Sequence, residues 1–64
     1  MQVIVNLKPQ QTSANLLQDL IMELSPQKPF GVAKNGAFIP KTDYAVTPLS
    51  DGDRIEIISP VTGG

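Results

Sequence analysis

Arg54-Ile55-Glu56-Ile57-Ile58-Ser59-Pro60-Val61-Thr62-Gly63-Gly64 closes a chain of 64 residues, and its two halves set how the rest is read. Ile55 and Ile57 alternate with Arg54 and Glu56, the period of a strand with one face on a core, so Ile58 points outward at the base of the terminal segment. Pro60 cannot donate to a sheet ladder, and two consecutive glycines lose more backbone entropy on ordering than any other pair. A folded domain at 1–59 and a flexible tail at 60–64 are therefore expected. Extended, the tail reaches roughly 16–18 Å at ~3.3–3.6 Å per residue, enough to enter another protein's active site while the body stays outside. The candidate functional group is the carboxylate of Gly64, with Gly63, Thr62 and Val61 as the segment that threads a channel.

The last strand needs partners, and the chain supplies them in order. Val3, Val5 and Leu7 alternate with Gln2, Ile4, Asn6 and Lys8, which predicts a first strand with those three on the core, Ile4 facing out, and pairing ended by Pro9. Thr12 or Ser13 is expected to cap a helix of about three turns, because a hydroxyl there accepts from the orphan amides of the first turn. Leu16, Leu17, Leu20, Ile21 and Leu24 form its apolar stripe, and Ser25-Pro26 ends it. Asp19 and Glu23 face water four residues apart, a mildly unfavourable pair with no pocket to make acid–base chemistry of it. Asn35-Gly36 suits a two-residue hairpin turn, from which Ala37 to Ile39 returns until Pro40. Lys41 to Tyr44 reads as a short helical or turn segment, and Asp51-Gly52-Asp53 as the turn into the final strand.

These elements predict an α+β domain with one helix laid across one mixed sheet. The first and last strands are expected side by side and parallel, with helix and hairpin as the crossover that parallel pairing requires. Ile4 and Ile58 then share the outer face, and a small apolar patch near the tail exit is the candidate partner surface.

Composition removes several function classes. There is no cysteine and no histidine, so disulfides, zinc sites of the usual kind, thiol nucleophiles and the ordinary neutral-pH base are absent, and no metal site is expected. The formal charge is -1 and Lys8, Lys28, Lys34, Lys41 and Arg54 are dispersed, which argues against nucleic acid as a partner. The apolar stretches are too short to span a bilayer and the N-terminus lacks the pattern of a signal peptide, so a mature start at Met1, no membrane association and a cytoplasmic location are the expectations.

Asn35-Gly36, Pro40-Lys41, Asp43-Tyr44, Asp51-Gly52-Asp53-Arg54 and Gly63-Gly64, in that order and at this length, resemble a ThiS-type sulfur carrier. The resemblance covers most of the chain and implies a β-grasp, ubiquitin-like fold. It also implies a protein that is not itself an enzyme and binds no cofactor. A ThiF-type enzyme would spend ATP to adenylate Gly64, and a sulfur nucleophile would displace the adenylate to leave a thiocarboxylate. A ThiG-type thiazole synthase would receive the sulfur for thiamin, and a donor such as a cysteine desulfurase would supply it. With no cysteine, sulfur cannot ride as a side-chain persulfide. Two departures bear on this. Pro9 to Ala14 is short where the family has a returning strand, so a rudimentary second strand is expected. The ending Ser59 to Gly64 also resembles MoaD, which keeps open a carrier for molybdopterin synthesis, and an unmodified β-grasp interaction module is the remaining alternative.

Overall fold

The alternation in the first and last strands places them at the centre of one mixed sheet. The computed structural model describes residues 1–59. Its elements are β1 (Gln2–Val5), β2 (Lys8–Gln11), α1 (Leu17–Leu24), β3 (Gly31–Lys34), β4 (Ala37–Ile39), a 3-10 helix (Lys41–Val46) and β5 (Arg54–Ile58). The sheet order is β2-β1-β5-β3-β4. β1 and β5 run parallel, with Ile4 opposite Arg54 and Val5 opposite Ile55, and the other pairings are antiparallel. This is the expected β-grasp layout.

Val3, Leu17, Leu20, Val32 and Ile55 are fully buried, with Ala14, Tyr44 and Leu49 completing the core and Val5, Ile21, Leu24, Phe30, Ile39 and Ile57 packed around it. The helix is shorter than its stripe suggests. Leu16 lies before it in extended conformation and forms an isolated bridge with Pro48. Neither Thr12 nor Ser13 caps it. The Leu17 amide instead donates to the Thr47 carbonyl (2.8 Å), so a loop from the other end of the chain satisfies an orphan donor of the first turn. Thr12 is buried and locally engaged: its hydroxyl accepts from the Ala14 amide (2.9 Å) and donates to Glu23 Oε1 (2.7 Å). At the other end Ser25 takes a left-handed conformation and its amide donates to the Ile21 carbonyl (2.8 Å), so the helix ends at the expected Ser25-Pro26.

The N-terminal hairpin departs from expectation. Asn6 and Leu7 form a tight turn with φ of 48° and 70°, which reverses the chain into a full second strand of four residues. Leu7 is consequently 89% exposed and not a core residue. Pro9 does not end pairing. It sits opposite Ile4 in β2, and because β2 is an edge strand its missing N–H costs no ladder bond on the open side. Asn6 makes good what the turn removes: its amide donates to the Ile55 carbonyl (2.9 Å) and its Oδ1 accepts from the Ile57 amide (2.8 Å), extending β1–β5 pairing by a side chain after the backbone has turned away.

Candidate functional site: the end of the last strand and its sheet face

β5 carries the chain through the middle of the sheet and brings it to Ile58 and Ser59, the last of the described residues. The tail expected at 60–64, with Val61, Thr62, Gly63 and Gly64, lies outside the described residues. Ile55 and Ile57 point to the helix side, and Arg54, Glu56 and Ile58 to the outer face, where Ile58 is 53% exposed.

Ile4 and Ile58 share that face but do not form one patch. Ile4 is level with Arg54, and Ile58 lies four residues further along the same strand, about 13 Å away at ~3.3 Å per residue. Ile4 instead contributes to a groove of about 290 Å³ with Leu7, Gly36, Arg54, Ile55 and Glu56, between the two hairpin turns. Across β3 from β5, the exposed apolar residue on this face is Phe38, which stands level with Glu56. Gly31 pairs with Ile58, and a Cβ on Gly31 would lie 3.7 Å from the Phe38 ring, an ordinary contact distance, so the ring reaches from β4 over β3 toward the residue opposite Ile58. Ala33 lies opposite both Phe38 and Glu56 and is buried although it is not part of the helix-side core. Phe38, 69% exposed, and Ile58 give this face exposed apolar surface toward the C-terminal end of β5, with Ala33 buried beneath. Sequence reading passes over Phe38. The signal is its parity: Ile39 faces the core beside Val32, so its neighbour Phe38 has to face out.

The opposite end of β5 is held by charge. Asp53 Oδ1 accepts from Asn35 Nδ2 (3.0 Å), its Oδ2 accepts from the Ser50 amide (2.8 Å), and Lys34 Nζ stands 3.8 Å from Oδ2. Asn35 Oδ1 in turn accepts from the Arg54 amide (2.9 Å), and the Asp53 carbonyl accepts from the Ile4 amide (2.8 Å). Burial pushes the Asp53 carboxyl upward, but the bonds from Asn35 and Ser50 and the charge of Lys34 outweigh it and hold the group below the usual carboxylate range. The β3–β4 turn, the loop before β5 and β1 are thus locked together, which fixes the start and direction of β5.

The ThiS family model matches residues 2–64. The chain belongs to the ThiS family. The match runs through the Asn6-Leu7 hairpin, the Asp53 clamp and the terminal Gly63-Gly64, and ThiS-family proteins are small sulfur carriers, not enzymes. Among solved structures, the chain is similar to the crystal structure of a thiamine biosynthesis protein, ThiS, from Geobacter metallireducens, with 25% identity, a TM-score of 0.85 and full coverage of both chains. It is also similar to the solution structure of a thiamine biosynthesis protein from the same organism, with 25% identity and a TM-score of 0.76, covering all of this chain and 87% of that one. No curated protein matches the chain. Among the described residues no helix is long and apolar enough to cross a membrane, and no three acidic side chains converge as a metal site would need.

Proposed function

We propose that this ThiS-family chain carries sulfur for thiazole formation in thiamin biosynthesis as a thiocarboxylate on Gly64. The observation that carries this reading is the family match through residue 64, which takes in the glycine pair as well as the fold. A carboxylate is a poor electrophile because its charge repels nucleophiles and oxide is a hopeless leaving group. Activation must therefore come first. A ThiF-type enzyme using ATP transfers AMP to the Gly64 carboxylate with release of pyrophosphate, and a sulfur nucleophile then attacks the carbonyl carbon and expels AMP. A ThiG-type synthase accepts the sulfur, and a donor such as a cysteine desulfurase supplies it.

This chain contributes presentation rather than catalysis. Glycine at the terminus leaves the carbonyl open to phosphate and nucleophile, and Gly63 keeps the approach narrow. The outer surface of Ile58 and Phe38 docks on the adenylating enzyme and sets the distance from body to carboxylate. Deleting Gly64 withdraws the carboxylate by roughly 3.3–3.6 Å, and misplacement by even ~1 Å can cost about a hundredfold in rate. Intact-mass analysis after incubation with ATP, a ThiF-type enzyme and a sulfur donor should show one oxygen-to-sulfur exchange that fragmentation places on Gly64. The deletion should stay unmodified and keep its fold. Sulfur gained as fast by the truncated chain, or mapped elsewhere, would overturn the proposal.

A further inference from the structure

On the helix side of the sheet, away from Phe38 and Ile58, a groove of about 410 Å³ runs between α1, the 3-10 helix and the segment entering β3. Ile21, Lys28, Pro29, Phe30, Lys41 and Tyr44 line it. Tyr44 forms its floor, Ile21 and Phe30 are half-buried along its walls, and Lys28, Pro29 and Lys41 are exposed at the rim. None of the six is acidic, and neither lysine has an ion-pair partner among the described residues. Two of the chain's five basic residues therefore flank one apolar trough on a molecule that carries six acidic ones. Phe30 directly precedes Gly31, the partner of Ile58, so the groove begins beside the end of β5.

We propose that this groove is a second docking surface, which takes an acidic segment of a partner protein with an apolar side chain as its anchor. Charge complementarity selects the occupant: the apolar floor takes the anchor, and carboxylates on either side meet Lys28 and Lys41. An exposed rim suits an extended chain better than a small molecule, since pockets for small ligands enclose most of the ligand surface. Because the groove and the sheet face lie on opposite layers, a protein bound here leaves Phe38 and Ile58 free for another.

The test is a titration of 15N-labelled protein with a blocked peptide Glu-Glu-Leu-Phe-Glu-Glu. It needs neither ATP nor sulfur, so its outcome is separate from that of the Gly64 chemistry. Saturable shifts are expected at the amides of Ile21, Phe30 and Tyr44, with affinity falling as salt rises. The double variant Lys28→Glu, Lys41→Glu should keep its dispersed spectrum, because both side chains are exposed, and lose at least about tenfold in affinity. A peptide with lysines in place of the glutamates should not bind. Absence of saturation at millimolar peptide, shifts confined to Phe38 and Ile58, or equal binding by the double variant would overturn the proposal. So would binding of decanoate alone, which would assign the groove to a small amphipathic anion.

Discussion

Replacing Asp53 with Ala should destabilise the domain by about 2–4 kcal/mol at neutral pH, and the loss should shrink in acid. The substitution removes two hydrogen bonds to a charged acceptor, from Asn35 Nδ2 and the Ser50 amide. Bonds of that kind contribute about 1.5–3 kcal/mol each, which sets an upper bound near ~3–6 kcal/mol, and water reaching the rim of the site offsets part of it. Lys34 adds less than the two hydrogen bonds: its Nζ stands 3.8 Å from Oδ2, beyond hydrogen-bond reach, and donates instead to the Pro48 carbonyl at 2.8 Å. Against a total stability of roughly 0.05–0.15 kcal/mol per residue, the expected loss is a large fraction of the whole. The sign with pH comes from the depressed carboxyl. Its contribution is complete above the ordinary aspartate value of about 3.9 and is lost as pH falls through the lower folded value. Urea unfolding followed by circular dichroism at pH 7, 4 and 2.5 measures both effects, and Asp53→Asn adds a neutral isostere that presents an amide to a donor on one side or the other. A difference from wild type below about 0.5 kcal/mol at pH 7, or one that stays constant down to pH 2.5, would refute the clamp.

Leu20→Ala should cost ~2–5 kcal/mol by the same unfolding measurement, because Leu20 is fully buried between helix and sheet. If the proposed docking on a ThiF-type adenylating enzyme uses this face, Ile58→Asp and Phe38→Asp should each weaken it in a calorimetric titration while leaving the unfolding midpoint close to wild type, since both side chains are largely exposed; Ile4→Asp, about 13 Å away, should weaken it less. Equal effects from all three would restore a single patch containing Ile4.

Most of the fold is legible in the sequence because its signals are local and redundant. Asn35-Gly36 marks a turn in which both residues need positive φ, and the structure gives them 51° and 87°. The isoleucines of β5 alternate without interruption, and the leucine stripe has one period only. The second strand is not legible for the opposite reason. Leu7 occupies a left-handed conformation at 70°, which a branched side chain adopts only when the surrounding pairing outweighs the cost, and Pro9 reads as a break unless the strand is known to be at an edge. The cap of α1 is hidden similarly, because its acceptor is the carbonyl of Thr47, a backbone atom thirty residues downstream of the Leu17 amide it serves.

The separation of Ile4 from Ile58 shows why a face is easier to read than a patch. Parity along a strand assigns a residue to a face with no knowledge of register, so both isoleucines fall on the outer side. Distance along that face depends on the offset between strands, and here β1 meets β5 at its first two residues, which leaves Ile58 beyond the last paired residue of β1. The strand beside Ile58 is β3, whose Gly31 stands opposite it without a side chain, and the Phe38 ring on β4 comes within 3.7 Å of where a Gly31 Cβ would lie. A Gly31→Val substitution tests this directly: its branches would crowd the Phe38 ring that an ideal Cβ already meets at 3.7 Å, and the ring should swing away from Ile58. If the exposed apolar surface at the tail exit aims the carboxylate, that variant should dock more weakly on the adenylating enzyme although neither Phe38 nor Ile58 has changed. Unaltered docking by a folded Gly31→Val chain would mean that Phe38 plays no part in it.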